Sequence, residues 1–143
     1  VSRRAALLLA LLAACATTPS GPEVRIELEQ ITSSAEFRFA GPVNVQYRLT
    51  AFNPTADPVN FARIELRTVG PGAYVLREPS IPINVKVPPG STAALTVTAR
   101  GAASGGQTAS IEPVTVRAVA YFDGPKGPFT HLLNVSFDQL GRR

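Results

Sequence analysis

Cysteine occurs once and histidine once in the 143 residues. A single thiol excludes an internal disulfide, and one thiol with one imidazole cannot supply the three or four protein ligands zinc takes. No dense acidic loop of the kind calcium requires is present, since Asp57, Asp123 and Asp138 are scattered. Charged residues reach only 17%, below the usual quarter. The net charge of +4 is misleading, because Arg3, Arg4, Arg142 and Arg143 sit at the two extremes and the rest carries ten charges of each sign. With no clustered basic patch, nucleic acid is not an expected partner. No Gly-x-Ser-x-Gly occurs, and the glycine-rich "GAASGGQTAS" at 101–110 lacks the Gly-Lys-Ser/Thr of a phosphate loop. His131, alone on an alternating segment, reads as structural. The chain is expected to be no enzyme and to bind no metal or dissociable cofactor.

What is present begins at the N-terminus. Arg3 and Arg4 precede an unbroken Ala/Leu run, Ala5 to Ala14, which is too short for the roughly 20 residues a spanning helix needs. Basic start, short apolar run and small residues in that order form a secretory signal. Leu12-Ala13-Ala14-Cys15 resembles the lipobox of bacterial lipoproteins. The resemblance implies a diacylglycerol thioether on Cys15, cleavage before it, and an N-acyl chain on the freed amine. Two or three acyl chains satisfy the two-signal requirement for stable anchoring. Ala16 after the cysteine implies the outer membrane, with the domain facing the periplasm. "ATTPSGP", 16–22, has the composition of a short flexible tether.

From residue 23 the pattern has period two. Val24, Ile26 and Leu28 alternate with Glu23, Arg25, Glu27 and Glu29. "VNVQYRLTAF", "VNFARIELRTV", "IPINVKV", "AALTVTA" and "FTHLLNVSF" repeat the alternation, with a phase slip at Phe61 that a bulge near Ala62 explains. "VTVRAVAYF" is nearly apolar on both faces and reads as a central strand, while "EFRF" and "AYVL" are short candidates. "FNPTADP", "TVGPG", "VPPGS" and "DGPKGP" are turns, the last a hairpin. The expected fold is all-β: one immunoglobulin-like (fibronectin III-like) antiparallel β-sandwich of 7–9 strands over 23–140. It follows a signal peptide at 1–14 and an acylated tether at 15–22, and a tail at 141–143 closes the chain.

Residues 43–100 resemble the group-two late-embryogenesis-abundant, water-stress-response type of β-sandwich. Asn53-Pro54 and Pro89-Gly90 occupy the family's turn positions, and Thr55 stands where a second Asn is usual. That resemblance implies binding or protection without catalysis. The candidate interaction loops are 53–58 with Asn53, Pro54 and Asp57, 101–109 with Gly105 and Gly106, and 123–128 with Asp123 and Lys126. The function expected is a lipid-anchored binding or assembly module that meets another envelope protein. A protective role and a proteinase-inhibitor loop at "VGPGAYVLREP" are the alternatives.

Cys15→Ala is expected to leave an uncut precursor or to release the protein from the membrane. Fractionation with mobility on a denaturing gel measures both, and a processed, membrane-bound mutant would contradict the lipoprotein reading.

Overall fold

The computed structural model describes residues 23–77 and 80–140. Eight strands form: β1 (Arg25–Gln30), β2 (Gly41–Phe52), β3 (Val59–Val69), β4 (Tyr74–Leu76), β5 (Ser80–Val87), β6 (Thr92–Ala103), β7 (Val114–Gly124) and β8 (Gly127–Phe137). They build two four-stranded antiparallel sheets, ordered β1-β2-β6-β4 and β5-β3-β7-β8. This is the immunoglobulin-like sandwich that the period-two pattern predicts. The signal, lipobox and tether assigned to 1–22, and the tail at 141–143, lie outside the described residues.

The alternation in sequence becomes alternation in burial. Val45, Tyr47, Leu49 and Ala51 on β2 are fully buried, and Ile64 and Leu66 on β3 face them from the second sheet. At about 1.5–3 kcal/mol for each fully buried large apolar side chain, this shared core is the main source of stability. The phase slip is a bulge between Phe61 and Arg63, which returns both Phe61 and Ile64 to the interior. β7 lies between β3 and β8, so its inner row of Val114, Val116, Ala118, Ala120 and Phe122 is buried, and on its outer row Thr115, Val119 and Tyr121 are half-buried between the flanking strands.

Two sequence expectations are corrected. "EFRF" is no strand: Ser33 Oγ accepts from the Ala35 N–H and starts a 3₁₀ turn over Ser34–Phe37, burying Phe37. The loop placed at 101–110 begins later, because β6 continues through Ala103 to pair with β2 and β4. Gly101 belongs to that strand, and a Cβ there would lie 2.6 Å from the Val75 carbonyl oxygen, so the approach of β4 requires glycine.

The core holds one polar chain. The Tyr74 hydroxyl donates to Gln30 Oε1 (2.8 Å), so the Tyr47 hydroxyl, 2.7 Å from it, is the donor to Tyr74. Gln30 and Gln139 exchange amide hydrogen bonds of 2.8 and 3.0 Å, and their remaining N–H groups donate to the Thr32 and Phe137 carbonyls. Every amide hydrogen of both glutamines is used. Burial pushes both phenols well above their ordinary pKa, so neither ionises in the physiological range.

Tyr74→Phe strips the Tyr47 hydroxyl of its acceptor and should cost about 1–3 kcal/mol, whereas Tyr47→Phe removes only a terminal donor and should cost nearer 1 kcal/mol. Urea unfolding of the two variants checks the order; equal or inverted losses would contradict it.

Candidate interaction surface

Register sorts the connections onto two ends of the sandwich. Arg25 opposite Phe52, Val59 opposite Val87 and Gly124 opposite Gly127 place the start of β1, the 53–58 loop, the 88–91 turn and the β7–β8 turn at one end. Residues 31–40, 70–73, 104–113 and 138–140 lie at the other. The sequence-derived loops therefore do not converge on one site. Asn53, Pro54, Asp57, Asp123 and Lys126 share the end where the chain enters β1, and Gly105 and Gly106 lie at the far end.

Asn53 is fully buried, and its side chain is consumed locally. Nδ2 donates to the carbonyls of Asp57 (2.7 Å) and Val87 (3.1 Å), and Oδ1 accepts from the Thr55 N–H and hydroxyl. Asn53 thus organises the loop and offers nothing to a partner, while Pro54, Asp57, Asp123 and Lys126 are exposed. Gly105 also has a structural duty. Its φ is +76°, and a Cβ would meet the Ala40 nitrogen at 2.5 Å, so glycine lets the 104–113 loop pack on the segment before β2. The Gly106 N–H ties the same two loops by donating to the Arg38 carbonyl (2.9 Å).

The far end carries a feature that the loop assignments missed. Seven large apolar side chains are exposed among the described residues, and six lie in the half of the sandwich toward this end: Ile31, Phe39, Val69, Val75, Ile111 and Leu140. Phe39 is 80% exposed. Isolated exposed apolar residues need no explanation, and of these six Phe39 and Ile111 lie in the end loops themselves, whereas Ile31 lies beside the middle of β2, its N–H donating to the Gln46 carbonyl. The signal available in the sequence was an apolar residue inside a segment of turn composition, as at Phe39 and Ile111.

An open groove of about 830 Å³ leads to this end along the seam between β1 and β8, with Leu28, Thr32, Val135 and Leu140 among its lining. Its extension toward the other end, about 400 Å³, has Ile26 and Leu133 on its walls and the exposed Glu29–Arg48 ion pair (2.9 Å) on its rim. Neither contains a set of groups arranged for acid–base or nucleophilic chemistry. His131 lies on β8 opposite Ala120, between Phe129 and Leu133 in the inward row. No group of three His, Cys, Asp or Glu able to hold a metal ion occurs among the described residues. On the outer face of the second sheet the Arg63 guanidinium sits 3.5 Å from the centre of the Tyr121 ring and hydrogen-bonds Glu65. That hydrogen bond lowers the Glu65 carboxyl pKa, so the pair persists at neutral pH and weakens as pH falls through the depressed value. Among the described residues no helix is long and apolar enough to cross a membrane.

No family model matches the chain, and no curated protein matches it. Among solved structures it is similar to the yeast GGA1 GAE domain, with 13% identity, 84% of this chain and 95% of that chain covered, and a TM-score of 0.49. A structural-genomics target gives 9% identity, 82% and 85% coverage and a TM-score of 0.49. A protein from Archaeoglobus fulgidus gives 10%, 80% and 94%, and 0.46.

Proposed function

We propose that this chain is a lipid-tethered, non-catalytic module of the bacterial cell envelope, facing the periplasm, that docks a protein partner with the end opposite its tether. The observation that carries the reading is the separation of the two ends. The chain enters β1 at one end, and six of the seven large apolar side chains exposed among the described residues lie in the other half of the sandwich, Phe39 and Ile111 in its end loops. The tether side rests on Leu12-Ala13-Ala14-Cys15, with acylation at Cys15. Apolar side chains at the centre of a contact, aromatic ones above all, supply most of the binding energy in protein interfaces. Phe39 is the natural anchor, with Ile111 and Leu140 beside it in the same set. Phe39 and Ile111 are exposed and take no part in the Tyr47–Tyr74–Gln30–Gln139 chain or in the Asn53 hydrogen bonds, so they can be altered without removing either.

Affinity capture from detergent-solubilised membranes of the source organism, with the tagged full-length chain, tests this. Phe39→Asp and Ile111→Asp should each lower recovery of a stoichiometric envelope partner at least tenfold, with melting temperatures unchanged, as surface substitutions usually leave them. Asp57→Arg and Lys126→Glu, at the tether end, should leave recovery intact. The reverse pattern, or equal recovery by all four, would overturn the assignment.

A further inference from the structure

The two sheets have four edge strands: β1 and β4 in one, β5 and β8 in the other. Exposed edges invite pairing with other chains, and proteins blunt them with charge, proline, bulges or brevity. Three of these edges are blunted. β1 has six residues and carries Arg25, Glu27 and Glu29 along its outward row. β4 has three residues. β5 carries Pro82 and Lys86, and it departs from regular pairing where Asn84 adopts φ +53° opposite the β3 bulge.

β8 has none of these protections along its length. It runs for 11 residues in unbroken register with β7, from Gly127 opposite Gly124 to Phe137 opposite Val114. It contains no Asp, Glu, Lys or Arg, and its one proline, Pro128, is the second residue, where a missing N–H removes only a terminal hydrogen bond. Its outward row is Pro128, Thr130, Leu132, Asn134 and Ser136, all exposed. Leu132 is the seventh large apolar residue exposed among the described residues, 58% accessible, and the one that lies on β8 itself.

We infer that β8 pairs with β8 of a second copy of this chain, antiparallel about a two-fold axis through Leu132, joining two four-stranded sheets into one of eight. The occupant is a second copy because the row is complementary to itself. Leu132 is the midpoint of Gly127–Phe137, so this register alone pairs the whole strand. It sets Leu132 against its own copy, Thr130 against Asn134 twice, and Pro128 against Ser136 twice. No like charges meet, and cross-strand apolar and short polar pairs of this kind stabilise antiparallel sheets. The paired strands run in opposite directions, so the two ends bearing Phe39 point away from each other.

Sedimentation of the full-length chain in density-matched detergent tests the inference. The wild type should be dimeric. Leu132→Lys alone and Leu132→Glu alone should each be monomeric, the dissociation constant rising at least tenfold, with circular dichroism and melting unchanged. An equimolar mixture of the two should dimerise again, because the axis sets residue 132 directly opposite itself. Chance occupancy of one micelle by two chains would be the same for every variant. A monomeric wild type, or single variants that stay dimeric, would overturn the pairing, and a mixture that stays monomeric would overturn the register.

Discussion

Hydrophobic burial holds two sheets together without fixing how one sits on the other, and the Tyr47–Tyr74–Gln30–Gln139 chain supplies that missing direction. Tyr47 and Gln30 stand on neighbouring strands of one sheet, Tyr74 stands on the short β4 at that sheet's far side, and Gln139 follows the last strand of the other sheet. A hydrogen bond lost in a buried site costs more than a formed one contributes, so any sliding of the sheets is penalised at several atoms together. The amide pair between Gln30 and Gln139 also closes the one seam at which β1 and β8 face each other without sharing a ladder. The grooves remain on the solvent side of that closure.

The same economy governs the ends. Asn53 satisfies one loop from inside, and Gly105 and Gly106 hold two others against each other, so the geometry of both ends is set by residues with nothing left for a partner. What remains for contact is what the fold does not use: an apolar group at the far end and an uncharged strand edge. Under the proposed reading, contact falls to side chains whose removal the core would not notice.

Much of the fold was legible in the sequence because period-two alternation survives in every long strand. The bulge at Phe61 and the short strand at Tyr74 were legible too, from a slipped phase and an apolar run between turns. "EFRF" misled, because its alternation of charge and aromatic fits a strand, while the decisive element was the Ser33 cap just before it. Gly101 misled in the opposite direction, reading as loop when it is the gap that admits β4. The interior polar chain left no local trace: Gln139 lies beyond the last alternating residue, and its partner is 109 positions away. Loop composition pointed to interaction loops at 53–58 and 101–109 and could not distinguish a residue that faces solvent from one, like Asn53, that faces inward. The assignment of Cys15 rests on its motif, and it lies outside the described residues.

That 109-residue separation has a meaning in time. β1 opens the sandwich in chain order and Gln139 follows its last strand, so the seam cannot close until residue 139 has been made. Until then Gln30 lacks its amide partner, the tyrosine hydroxyls lack a settled acceptor, and the apolar faces of β1 and β2 stand open. A topology whose closing contact joins its two extremities folds slowly and exposes its edges longest while nascent. Loss of Gln139 alone would leave every strand in place and remove both amide hydrogen bonds that join the end of β1 to the segment after β8.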